Sequence, residues 1–189
     1  MKLRVIVTLL TVAVAAGSAS GQSIGLFSDP GCASCNLATT PGIPATLWIG
    51  MATGGSVSGI KGAEFRVDGL PAGWLTISTP NPAANLALGD PFAGGCNIAF
   101  PECQVGACIN LYTVTVIPFS SDVDVVCVVD KHSSPSNPNF LCALVNLCDA
   151  PLFTKVCVGA GSMFINSQAD CTVAVEETTW SSVKSLYAN

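Results

Sequence analysis

Charge is scarce in this chain. Of its 189 residues only 10% are Asp, Glu, Lys or Arg, against 50% that are hydrophobic. Intrinsic disorder needs the opposite balance, so the composition predicts a folded protein. Basic residues are the scarcer sign, seven against twelve acidic ones. Nucleic acid and anionic membrane surfaces are bound through clustered Lys and Arg, which makes both poor partners for this sequence. Histidine is nearly absent: His132 stands alone, so any mechanism with an imidazole base must run through it. Aromatics are few, at 7%. The longest apolar run, Val5 to Ala16, falls short of the roughly 20 residues that a membrane span requires. There is no internal repeat, low-complexity tract or second domain.

What is present begins with that short apolar run. Lys2 and Arg4 precede it, only Thr8 and Thr11 interrupt it, and Gly17-Ser18-Ala19-Ser20-Gly21 follows it. Basic, apolar and small segments in that order form a secretory signal. Residues 1–21 are expected to be cleaved, with the cut before Gly21 or Gln22, and 22–189 to fold as one domain. Loss of Lys2 and Arg4 leaves five basic against twelve acidic residues, a formal charge of −7. The expected location is secreted or periplasmic, without membrane insertion after cleavage.

All ten cysteines follow the signal: Cys32, Cys35, Cys96, Cys103, Cys108, Cys127, Cys142, Cys148, Cys157 and Cys171. An even count on an exported chain predicts five disulfides, because compartments outside the cytoplasm keep paired thiols oxidised. The pairing as a whole stays open; spacing suggests that Cys103 and Cys108 close a short loop and that Cys157 and Cys171 clip consecutive strands. Cys32-Ala33-Ser34-Cys35 has the spacing of a redox dithiol or of half a zinc ribbon. A redox dithiol opens a helix, whereas this one follows the turn-like Ser28-Asp29-Pro30-Gly31 and precedes Pro41 and Pro44. A ribbon needs a second close pair, which the other spacings do not supply. Disulfides are therefore expected here too, with no metal and no cofactor.

Period-two alternation recurs along the chain, in Leu47, Ile49 and Met51 and again in Ala63, Phe65 and Val67, with Glu64 and Arg66 on the opposite face. Further strands are predicted at Trp74 to Ser78, Asn97 to Phe100, Ile109 to Phe119, Val123 to Val129, Leu152 to Val158 and Cys171 to Glu176. Gly69-Leu70-Pro71-Ala72-Gly73, Pro80-Asn81-Pro82 and Ser133 to Asn139 read as turns or loops. Closely spaced strands without intervening helices imply an all-β, immunoglobulin-like antiparallel β-sandwich. One short C-terminal helix is expected, capped by Thr178 or Thr179, with Trp180, Val183 and Tyr187 on one face.

No catalytic constellation stands out. Asp130, Lys131, Ser133 and Ser134 flank His132, but adjacency in a loop does not orient a base across a pocket. No Gly-x-Ser-x-Gly elbow is present. Asp122 and Asp124 share a strand face with Asp130 just beyond, an oxygen set that suits a hard cation, yet the run matches no calcium loop. Glu176 and Glu177 are consecutive and would point to opposite faces of a strand. All five read as solvated strand-end charges. Trp48 and Trp74 are candidates for stacking on a ligand such as a sugar ring, or for the core.

Two segments carry a resemblance. Gly59-Ile60-Lys61-Gly62-Ala63-Glu64-Phe65-Arg66-Val67-Asp68-Gly69-Leu70-Pro71 and Val175-Glu176-Glu177-Thr178-Thr179-Trp180-Ser181-Ser182-Val183-Lys184-Ser185-Leu186-Tyr187 resemble uncharacterised secreted, cysteine-rich β-sandwich proteins of environmental bacteria. The likeness extends loosely over most of the mature chain, including the Ser133 to Asn139 loop, and that group has no established activity to transfer. The first segment also resembles strands of immunoglobulin-like and cohesin-like sandwiches, which implies binding of a protein or a glycan. Sequence and resemblance together predict an exported, non-catalytic structural or binding module. Carbohydrate binding and a carboxylate-dependent hydrolase are the alternatives.

Overall fold

A computed structural model describes residues 22–54 and 59–167. The expected signal segment, the strand at Cys171 to Glu176, Glu177 and the C-terminal helix lie outside the described residues. All regular structure among those described is β: β1 (Ser23–Phe27), β2 (Asn36–Leu37), β3 (Ala45–Ala52), β4 (Ile60–Asp68), β5 (Leu75–Pro80), β6 (Leu86–Asp90), β7 (Gly95–Gln104), β8 (Cys108–Ile117), β9 (Val125–Asp130), β10 (Ala143–Leu147), β11 (Lys155–Ala160) and β12 (Ser162–Ile165). The described residues contain no helix long and apolar enough to cross a membrane.

The strands form one hydrogen-bonded network, branched at β4, that folds over itself as two layers. One layer runs β5-β8-β3-β1, the other β6-β7-β4-β10, and β11 joins them by pairing with both β1 and β10. Beyond the second layer β9 takes the last three residues of β4, and β12 and β2 follow it. The sandwich is not purely antiparallel as expected: β1 runs parallel to β11, and β2 to β12. Antiparallel order follows from hairpins, whereas these pairs join chain segments far apart in sequence, so nothing local sets their relative direction.

Alternation sends every second side chain inward. Leu47, Ile49 and Met51 of β3 meet Ala63, Phe65 and Val67 of β4 in one core with Cys96, Ile98 and Phe100 of β7. Phe65 and Tyr112 bridge the layers edge to face, with ring centroids 6.1 Å apart. After β4 the chain turns at Gly69, whose φ of +98° suits glycine and where a Cβ would sit 2.1 Å from the Val126 carbonyl oxygen. A side chain there would push β9 away.

Three bridges join pairs of described residues. Cys32–Cys108 ties the turn after β1 to the start of β8, Cys103–Cys148 ties the end of β7 to the exit of β10, and Cys142–Cys157 clips β10 to β11. Each restrains the unfolded chain, an effect on the order of 2–4 kcal/mol. Cys35 is disulfide-bonded as well, and because Cys32 bonds to Cys108 the two do not form a redox dithiol. The short-loop pairing of Cys103 with Cys108 and the pairing of Cys157 with Cys171 are both overturned, since each partner bonds elsewhere; Cys171 itself is outside the described residues.

The expectation that every cysteine is paired also fails, because Cys96 and Cys127 are buried free thiols. Both occupy inward positions of strands. The register neighbours of Cys96 are Phe65 and Gly89, and that of Cys127 is Met163, so no cysteine lies opposite either one. They pack as small apolar groups. Burial pushes the Cys127 thiol up to about 12. Burial likewise raises Cys96 to about 12, against a smaller opposing effect of Tyr112. The Tyr112 hydroxyl makes no well-formed hydrogen bond, and its pKa is raised by burial first and by the Cys96 thiol second.

Candidate functional site

The outer face of the second layer carries a cleft, and its floor follows from strand register. Gly62, Glu64 and Arg66 alternate outward from β4 while Ala63, Phe65 and Val67 face the core. Across the strands one row reads Leu88, Asn97, Glu64, Leu144 and Cys157, and the next reads Leu86, Ala99, Gly62, Asn146 and Lys155. Small residues at the centre of the second row, Ala99 and Gly62, leave a depression between larger neighbours. Gly62 is needed there, because a Cβ would approach the Ile98 carbonyl oxygen to 2.7 Å. The cavity has a volume of about 200 Å³.

The Ser133 to Asn139 loop closes one side of it. Ser136 donates its backbone N–H to Glu64 Oε1 at 2.9 Å, and Lys155 Nζ donates to Ser136 Oγ at 3.4 Å. Glu64 is thereby sunk into the surface, only 6% exposed. Its nearest cation along β4 is occupied elsewhere: Arg66 pairs with Asp68 at 2.6 Å and with Asp130 at 2.8 Å. The walls combine a carboxylate, the amides of Asn97 and Asn146 and the apolar surface of Leu86 and Leu144. Edge strand β6 borders the cleft and pairs only with β7, leaving Leu86 and Leu88 47% and 57% exposed. This arrangement suits noncovalent recognition. It offers no nucleophile with an oriented base, since Ser136 Oγ faces an ammonium group rather than an imidazole or a carboxylate.

The two tryptophans part company. Trp74 is 8% exposed and donates its indole N–H to Ser120 Oγ at 2.8 Å, so it belongs to the core and not to a stacking platform. Trp48 is half-buried on the outer face of the first layer, paired in register with Phe27 on one side and Thr113 on the other. Strands β1, β3, β5 and β8 of that layer contain no charged residue at all. His132 is half-buried against Gly95, where a Cβ would come within 2.5 Å of the ring, and its Nδ1 accepts the Ser134 N–H at 3.0 Å. Asp130 is held by Arg66 and Asp122 accepts the Ser120 hydroxyl, while Asp124 is exposed. Among the described residues no group of three or more His, Cys, Asp or Glu is placed to hold a metal ion. Glu176 and Glu177 lie outside the described residues.

The cleft residues were missed by sequence reasoning: Glu64 reads as one of the charges on the outward face of β4, with Arg66 next to it on that face, and nothing marks it as buried. Nothing local announces that Asn97, Ser136, Asn146 and Lys155, drawn from three strands and a loop, gather around it.

No protein-family model and no curated protein matches the sequence. Solved structures similar to this chain include the cohesin module of a family 33 glycoside hydrolase from Clostridium perfringens, 13% identical, covering 78% of this chain and 98% of that one at a TM-score of 0.49. Another is a type III cohesin module from the cell-surface anchoring scaffoldin of Ruminococcus flavefaciens, 12% identical, covering 84% and 93% at a TM-score of 0.45. Both are β-sandwiches, and the likeness is one of outline.

Proposed function

We propose that this protein is an exported, non-catalytic binding module that holds a protein partner on the outer face of the β6-β7-β4-β10 layer. The observation that carries the reading is Glu64: a carboxylate buried beside an open cleft, without an ionic partner among the described residues, next to the exposed leucines of an edge strand. Burying a charge is costly, and contiguous exposed apolar surface beside it is the mark of an interaction site. Its seven bonded half-cystines among the described residues suit an oxidising compartment, in keeping with export to the periplasm or beyond.

The immobilised mature chain should capture a partner from envelope or culture-supernatant fractions of its source organism. Leu88→Asp on edge strand β6 is expected to reduce that capture at least tenfold, and Ile77→Asp on the opposite layer to leave it unchanged. Equal capture by all three proteins would remove the assignment of this face. A second reading rests on Trp48 beside Phe27 on an uncharged layer, a surface suited to stacking against a neutral sugar ring. Retention on a glycan array that is lost in Trp48→Ala would favour it over the first.

A further inference from the structure

We infer that the Glu64 cleft is a receptor for one basic side chain, lysine or arginine, presented by the protein partner. The inference rests on the binding face proposed above and names the chemistry of its deepest point. Three observations converge on a cation. The Glu64 carboxylate is more than nine-tenths buried, its Oε1 accepts one bond from Ser136 N–H, and its Oε2 accepts none from the described residues. The cations of this chain that lie nearest in the fold do not neutralise it: Arg66 is clamped between Asp68 and Asp130, and Lys155 is directed at Ser136 Oγ without forming an ion pair.

The third observation is the shape and chemistry of the space. A cavity of about 200 Å³ opens in front of the carboxylate, enough for the end of a long side chain. Leu86 and Leu144 supply apolar wall for a methylene stem, and the amide oxygens of Asn97 and Asn146 are acceptors for the N–H groups that the carboxylate leaves over. A guanidinium presents several donors in a plane and uses such a set more fully than a point charge does. A neutral or acidic group would leave Glu64 desolvated and unpaired, so the site discriminates by charge. The acidic balance of the chain as a whole adds attraction at longer range for a basic partner.

The test uses n-butylguanidinium as probe and the isosteric, uncharged n-butylurea as its control, each titrated into the ¹⁵N-labelled mature protein. With n-butylguanidinium, saturable shifts are expected at the Ser136 backbone amide and at the side-chain amides of Asn97 and Asn146. With n-butylurea they are not. Glu64→Gln keeps the shape and the acceptor for Ser136 N–H, and it should weaken the guanidinium titration at least tenfold. Equal shifts with both probes, no saturable shift, or an unchanged titration in Glu64→Gln would each overturn the inference. If that variant fails to fold, the comparison of the two probes on the unaltered protein still decides the matter. Partner capture that needs Leu88 but survives saturating n-butylguanidinium would keep the binding face and discard the cation site. Saturable guanidinium binding without any partner on that face would do the reverse.

Discussion

Replacing Phe65 by alanine should cost about 4 kcal/mol of stability, the largest single-residue loss expected in this protein. Phe65 is fully buried at the middle of β4, and the loss has two sources. One is the transfer of a large aromatic surface back to water together with the cavity left behind; β7 pairs with β4 at Phe65 itself and β10 one residue before it, so the backbone has little room to collapse. The other is the edge-to-face contact with Tyr112, worth on the order of 1 kcal/mol beyond the buried area. Domains are stable by only about 5–15 kcal/mol, so the variant would lose a large part of its margin. Urea titration of the oxidised protein at neutral pH measures the effect. Val128→Ala, at a partly exposed position of β9, should shift the midpoint little. A loss under about 1 kcal/mol for Phe65→Ala would mean that the core is not centred on β4.

Alkali should destabilise the fold through Cys96 and Cys127, by roughly 3–5 kcal/mol for the two together at pH 11. Both thiols have an ordinary value of 9.0 and are pushed up to about 12 in the native state by burial. Below pH 9 the native and unfolded chains both keep the neutral thiols, and the full stability is present. Above it the unfolded chain releases protons that the native chain retains, so stability falls as the pH rises from 9 towards 12. Urea midpoints measured from pH 7 to 11 should therefore decline from about pH 9. The Cys96→Ala, Cys127→Ala double variant should lose that early decline and keep only the later one due to Tyr112, whose ordinary value is 10.0. An identical pH profile in the double variant would show that these thiols are not shielded. The same burial leaves too little thiolate for reaction, so iodoacetamide at neutral pH should modify neither cysteine until denaturant is added.

These two predictions concern positions that the sequence made legible to different degrees. Phe65 is visible as core because Ala63, Phe65 and Val67 alternate with Glu64 and Arg66, a pattern with one physical meaning in a half-buried strand. The same signal places β3, whereas β8 and β9 were legible from their β-branched composition. β6 escaped notice because Leu86–Asp90 is exposed throughout and its apolar residues are not held inward. β1 and β10 are short apolar runs without alternation, and periodicity does not separate such runs from other buried segments. The cysteine count carried the existence of disulfides but misjudged their number among the described residues. A thiol is as comfortable in a core as in a bridge, and only the register around Cys96 and Cys127 reveals that neither faces another cysteine. Trp74 shows the same limit, since a tryptophan in a strand reads alike whether it faces Ser120 at the core's edge or open solvent.

The sequence by itself determined the class of the molecule: an acidic, apolar, cysteine-rich chain whose alternation with period two commits it to an all-β core. Such features depend on composition and on neighbours one or two residues away, and those are written along the chain. The tertiary structure decided which cysteines meet, that β11 closes the two layers through a parallel pair, and that Glu64 comes to lie in a cleft among Asn97, Ser136, Asn146 and Lys155. Those outcomes depend on contacts between residues tens of positions apart, and a contact of that kind is set by strand register and layer packing, for which no local pattern in the chain is a sufficient code.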